Sequence, residues 1–140
     1  MSARSAPLDL KTIWLFSSCS ASELRKIRSS LDQVKVPAGK VLVEEGRIGM
    51  ECFVIVEGTA LVTRDGKKVA TLGPGSPFGE LALIDRRPRS ATVVSETPMD
   101  LLVLSQRQFN GLLESVPSIC RKMLVAMADR LREADALAYD

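Results

Sequence analysis

Histidine is missing from the chain altogether. That removes the commonest general base, the usual nucleophilic triads and most zinc sites at once. Cysteine is scarce and odd in number: three residues, Cys19, Cys52 and Cys120, with no C-x-x-C pair. A disulfide framework is therefore not expected, and Cys52 and Cys120, inside apolar stretches, read as reduced packing residues. Long hydrophobic runs are lacking too. The longest, Met123 to Ala128, falls far short of the roughly 20 residues a membrane helix needs. Nor is there an excess of either charge, since 19 Lys plus Arg against 17 Asp plus Glu leave a net +2. Bulk electrostatics thus points to no nucleic-acid or membrane partner, and any basic site must be local. Met1 is followed by Ser, Ala and Arg with no apolar h-region, so no signal peptide is expected and the cytoplasm is the expected location.

The 140 residues that remain are 46% hydrophobic and 26% charged, the balance of a soluble globular protein, and by length form one domain. Residues 8–32 read as helical. Ser20-Ala21-Ser22-Glu23 has capping-box spacing, and Leu24, Ile27 and Leu31 recur at three and four. Ile13-Trp14-Leu15-Phe16 precedes this helix as a short apolar anchor.

Between residues 33 and 105 the pattern changes. Short runs such as Val41-Leu42-Val43, Phe53 to Val56, Ala60 to Thr63 and Val69 to Leu72 alternate with glycine breaks at Gly39, Gly46, Gly49, Gly58 and Gly66. Asp65-Gly66 between two such runs is a two-residue hairpin signal. Strands at spacings of about 8–12 residues predict an antiparallel sandwich or barrel. Residues 106–138 return to helix: Ser105 to Gln108 has capping-box spacing, Phe109, Leu112 and Leu113 form an apolar face, and Pro117 starts a second helix. In that last helix Cys120, Leu124, Met127, Leu131, Ala134 and Ala138 are spaced four, three, four, three, four, an a/d seam.

The chemistry concentrates between Gly75 and Val93. Gly79 opens a short helix inside the β region, and a helix start carries outward amides and positive dipole. Arg89 follows nine residues after Glu80, then a hydroxyl (Ser90) and a small residue (Ala91) lead into a strand. Amides, a guanidinium and a hydroxyl converging would suit a singly charged phosphodiester, gripped by the guanidinium fork. Glu80 cannot help an anion, so it needs a donor, and a sugar hydroxyl supplies one. Arg86 and Arg87 read as solvated loop residues, while the Met123, Met127 and Leu131 stripe reads as packing.

Gly75-Ser76-Pro77-Phe78-Gly79-Glu80-Leu81-Ala82-Leu83, then Pro88-Arg89-Ser90-Ala91-Thr92-Val93, resembles the phosphate-binding cassette of cyclic-nucleotide-binding domains. That family includes the bacterial catabolite activator, the regulatory subunits of cyclic-AMP-dependent kinase and the cyclic-nucleotide-gated channels. The resemblance implies a mainly β fold with flanking helices: an antiparallel, jelly-roll-like β-barrel (a double-stranded β-helix) with an N-terminal helix, a short phosphate-binding helix and two C-terminal helices. It implies no catalytic residues, no metal and no cofactor, with cAMP as the expected ligand and cGMP as the alternative. Phe78, Gly79, Glu80, Leu81, Ala82, Arg89, Ser90 and Ala91 would hold phosphate and ribose, with Glu80 accepting from the 2′-OH and Arg89 gripping the phosphate. Val62 and Val69 would wall the base, and Leu131 or Asp135 would reach it from the last helix.

Three positions depart from the family pattern: Arg47 where relatives commonly carry an acid, Pro77, and Ala134-Asp135 where the catabolite activator has a Thr-Ser pair. The last leaves base choice open. The expected function is a sensor that signals through its C-terminal helices, as a homodimer through the last helix or toward an effector protein. The alternative is the sensor half of a cAMP-responsive transcription regulator, whose helix-turn-helix is not in this sequence; no DNA or membrane contact is expected of the chain itself. A cupin-type metalloenzyme would need a histidine cluster.

Overall fold

The computed structural model describes the backbone of residues 9–139 and side chains through Leu137. Leu8, the expected start of the helical segment, lies outside the described residues, as does the Ala138 side chain. The chain forms two compact units, one of Leu31–Arg107 and one of Asp9–Ser30 with the chain from Gln108 onward.

The first unit holds eight strands: β1 (Asp32–Val36), β2 (Val41–Val43), β3 (Glu51–Glu57), β4 (Ala60–Arg64), β5 (Lys67–Leu72), β6 (Pro77–Phe78), β7 (Thr92–Ser95) and β8 (Met99–Ser105). They make two antiparallel four-stranded sheets, ordered β1-β8-β3-β6 and β2-β7-β4-β5. The core lies between them. Phe53, Ile55, Phe78, Met99, Leu101 and Val103 come from the first sheet, and Val43, Ala60 and Val93 from the second. Along β3 and β8 these residues recur at every second position, as the pleat requires. Phe53 and Phe78 stack, with ring centroids 4.9 Å apart.

The architecture is jelly-roll-like, as expected, but it is an open sandwich and not the closed barrel the sequence suggested, since the two sheets share no strand. The short β6 gives the physical reason. Pro77 has no N–H to donate, and Gly79, at φ +77, turns the chain away after two residues. The Asp65-Gly66 hairpin forms as expected, with both residues at positive φ and Arg64 opposite Lys67. Ser95, buried in β7, donates to the Pro37 carbonyl at 2.7 Å and accepts from the Lys40 N–H at 2.9 Å, which fixes the turn before β2.

The second unit contains two short 3-10 turns, Leu10–Thr12 and Trp14–Phe16, then α1 (Ala21–Ser29), the greater part of α2 (Gln106–Ser115), and α3 (Ser118–Tyr139). The Ser20–Glu23 capping box is present. Helix α1 ends before Leu31, which the spacing had included. Within this unit Glu23 is buried, accepts from the Lys122 ammonium at 3.0 Å and from the Ser118 hydroxyl, and so ties α1 to α3. The Ser118 hydroxyl, then the Ser20 N–H and the Lys122 ammonium, hold its carboxyl at about 2, well below the ordinary carboxylate value. Arg130 lies over the Trp14 ring at 4.5 Å.

The buried stripe of α3 is Ile119, Met123 and Ala126. The predicted seam lies one residue further on: Cys120 is exposed and not a packing residue, Leu124 is 57% exposed and Leu131 67%. The heptad spacing was real, but both adjacent stripes are apolar and the fold buries the neighbouring one. Among the described residues no helix is long and apolar enough to cross a membrane.

Candidate functional site

Gly79 ends β6 in a left-handed conformation and caps a 3-10 helix, Glu80–Leu83. Its i+3 pairing is set by the Ala82 N–H donating to the Gly79 carbonyl at 3.1 Å. The chain then turns through Asp85–Pro88 to Arg89. Arg89 is clamped by backbone on both sides: its N–H donates to the Arg47 carbonyl at 2.7 Å, and its carbonyl accepts from the Gly46 N–H at 2.8 Å. Ile48 and Pro88 form a bridge between the same two segments.

The Arg89 guanidinium is held just as tightly. One terminal nitrogen donates to the Glu51 carbonyl at 2.8 Å. A Cβ on Gly49 would overlap Nε and Cζ of Arg89, and one on Gly79 would lie 2.5 Å from its Nη1 and 3.0 Å from the Glu51 carbonyl. The guanidinium therefore runs between two glycines that leave room for nothing else. Burial pulls its pKa down, opposed by the nearby Glu51 charge. It keeps its proton at neutral pH, and a partly desolvated cation with unused donors is a site for an anion.

Of the cavities lined by Arg89, two also share Gly79 and Ser90. The first, about 310 Å³, is lined by apolar Val43, Val62, Ala70, Leu72, Phe78 and Val93, with Arg64 and Ala91. The second, about 280 Å³, is lined by Glu80, Leu81, Ala82, Asp85, Arg87 and Pro88. One chamber is thus oily with a cationic end, the other polar with carboxylates. Such a pairing suits a ligand with a flat apolar part at one end and, at the other, a hydroxyl-bearing part with an anion against the guanidinium.

The structure gathers most of the residues that the sequence singled out. Gly79, Glu80, Leu81, Ala82, Arg89, Ser90 and Ala91 all line one or both cavities, as do Phe78 and Val62. Val69 is 52% exposed. The register passes from Val62 opposite Ala70 to Thr63 opposite Lys68, so Val69 is the extra residue of a β-bulge and Ala70 takes the cavity wall. Leu131 and Asp135 are exposed residues of α3 in the second unit. Arg87 is solvent-exposed, as read, and it pairs with Asp85 at 3.8 Å at the edge of the second cavity. Cys52 is buried, and desolvation with the Glu80 charge pushes its thiol up to about 12, so it carries no reactive thiolate.

Sequence reasoning missed Gly49, the Glu51 carbonyl and Arg64. Gly49 had been read only as a break between strands, and nothing in a sequence shows a main-chain acceptor. Arg64 ends β4 like any charged residue before a hairpin.

A family model for the cyclic nucleotide-binding domain matches residues 33–116. The chain belongs to the cyclic nucleotide-binding domain family. It is 35% identical over 115 residues to a cAMP-dependent protein kinase regulatory subunit of Aspergillus niger, covering 81% of this chain and 28% of that protein. It is 29% identical to the cyclic AMP receptor protein of Thermus thermophilus, covering 86% and 58%. A cyclic nucleotide-gated potassium channel of Rhizobium etli is 38% identical over 83% of this chain and 32% of its own length. The chain therefore spans from about a quarter to somewhat over half of these relatives. Among solved structures, the N-terminal domain of a Streptomyces coelicolor transcriptional regulator superposes with a TM-score of 0.81 at 31% identity, covering 88% of this chain and 91% of that one. The regulatory domain of Toxoplasma gondii PKA, solved with cAMP, gives 0.64 at 33% identity over 71% and 40%.

Proposed function

We propose that this chain is a non-catalytic, cytoplasmic sensor that binds a 3′,5′-cyclic nucleotide, cAMP or cGMP, and needs no cofactor. The observation that carries the reading is the Arg89 guanidinium between Gly49 and Gly79, facing both cavities. A cyclic phosphate bears one charge, which suits one guanidinium with the amides of the Glu80–Leu83 turn and Ser90-Ala91. The ribose lies in the polar chamber, where Glu80 accepts from its 2′-hydroxyl. The base lies in the apolar chamber against Val62, Ala70 and Leu72. The relatives whose names carry cAMP support the ligand class.

The output we propose is a change in α2 and α3. Gln106, the first residue of α2, is buried; its side chain donates to the Ala82 carbonyl at 3.1 Å and its N–H to the Met50 carbonyl at 2.8 Å. A ligand that moves the Glu80–Leu83 turn therefore pulls on the root of α2. The exposed apolar stripe with Leu124 and Leu131 is then the face offered to a second copy or to an effector.

Thermal unfolding with cAMP and with linear 5′-AMP tests the ligand. A ligand bound only to the native state stabilises by about 2.7 kcal/mol at a hundredfold excess over Kd. Cyclic AMP is expected to raise Tm well above 5′-AMP. Equal shifts would refute a site built for the cyclic ester.

A further inference from the structure

We propose that Arg64 is a specificity-determining residue that reads the edge of the base and favours guanine over adenine. The inference rests on the ligand class proposed above and adds what that reading left open, the choice of base. Ala60, Val62 and Arg64 lie on one face of β4, since side chains repeat every second residue along a strand. Ala60 is fully buried, Val62 lines the apolar chamber, and Arg64, exposed to solvent, lines it too. The bulge at Val69 belongs to β5, so this alternation along β4 is unbroken.

Arg64 is also aimed. Its Nε donates to the Ser90 carbonyl at 2.9 Å, which fixes the guanidinium plane against the segment that follows Arg89. Among the described residues its terminal nitrogens have no other hydrogen-bond or ion-pair partner, so their donors remain for a ligand. Arg89 is committed to the anion. Arg64 is then the one other charged side chain on the apolar chamber, whose remaining walls are mostly aliphatic and aromatic carbon.

The chemistry of that side chain decides the base. A guanidinium is a donor-only fork. Guanine presents two adjacent acceptors, O6 and N7, whereas adenine presents N7 beside an N6 donor that opposes the fork. A forked contact of this kind discriminates between bases by about fivefold to a hundredfold. Lysine keeps the charge but not the planar fork, so the two side chains separate charge from geometry.

The test is calorimetric titration of the wild-type chain, Arg64→Met and Arg64→Lys with cAMP and with cGMP. Methionine keeps much of the apolar stem and removes the donors. The expected result is a loss of about tenfold in cGMP affinity for Arg64→Met with cAMP changed less than about threefold. Arg64→Lys is expected to recover only part of the cGMP affinity. Equal losses for the two nucleotides would show that Arg64 serves only the Ser90 carbonyl, and unchanged affinities would show that it reads nothing; either overturns the proposal. If the wild-type chain binds neither nucleotide, the ligand reading itself fails. A wild-type chain that binds both, with parallel losses in the variants, leaves the sensor and removes only the base reader.

Discussion

The sheet unit and the helical unit hold their polar side chains in different ways. In the sheet unit four side chains reach main-chain acceptors, Arg89 on the Glu51 carbonyl, Arg64 on the Ser90 carbonyl, Gln106 on the Ala82 carbonyl and Ser95 on the Pro37 carbonyl, beside side-chain pairs such as Gln33 with Asp100 and Arg87 with Asp85. In the helical unit the main polar contacts between elements join side chains, with Glu23 meeting Ser118 and Lys122, and Arg130 meeting Trp14. A main-chain acceptor cannot titrate or swing away on a side-chain torsion. A carboxylate can do both. The comparison assigns a preformed site to the sheets and an adjustable response to the helices.

The largest effect is expected at the guanidinium. Arg89→Leu removes the charged partner of the phosphate and should weaken cyclic-nucleotide binding by about a hundredfold or more. Its circular dichroism should stay that of the wild type, because the residue's own N–H and carbonyl still pair with Arg47 and Gly46. Retained nucleotide affinity in that variant would dissolve the contrast between the units. Next comes Gly49→Ala, where the added Cβ overlaps Arg89. The guanidinium must shift, and a loss of at least about tenfold in affinity is expected although the alanine never touches ligand. Calorimetry that finds no loss would mean that Arg89 is not positioned by the glycine pair.

The helical unit should fail differently. Glu23 titrates at about 2 in the fold against an ordinary 4.5, so its contribution is complete above about 4.5 and is lost as pH falls toward 2. Urea midpoints for the wild type should fall across that acid window, and Glu23→Gln should flatten this dependence while costing roughly 1–3 kcal/mol at neutral pH. An unchanged acid profile in Glu23→Gln would place the titrating group elsewhere. Smallest of all, Val69→Thr, on the bulge, should leave affinity within about twofold, while Val62→Ala should lower it by about threefold to tenfold. The opposite order would return Val69 to the cavity wall.

These expectations also mark what the sequence made legible. The cassette from Gly79 to Ala91 could be read because its residues stand at a distinctive spacing: a glycine at positive φ, an arginine ten residues later, a small residue entering a strand. The Asp65-Gly66 hairpin and the Ser20–Glu23 capping box were readable because they are local. The bulge at Val69 was not, since register is a relation between strands and one extra residue leaves no mark in β-rich sequence. Gly49 was visible as a glycine, but its purpose depends on a side chain forty positions away. The α3 seam misled because two adjacent stripes of that helix are both apolar, and only the fold shows that Ile119, Met123 and Ala126 are the buried one.

Amide hydrogen exchange with and without saturating cAMP tests the central claim most directly. The account predicts slowed exchange at Glu80 and Leu81 and at Ser90-Ala91, the amides proposed to meet the phosphate, with further slowing near Ala70. Exchange that is unchanged in those segments at saturating nucleotide, or protection confined to the helical unit, would contradict a cyclic-nucleotide site built around Arg89.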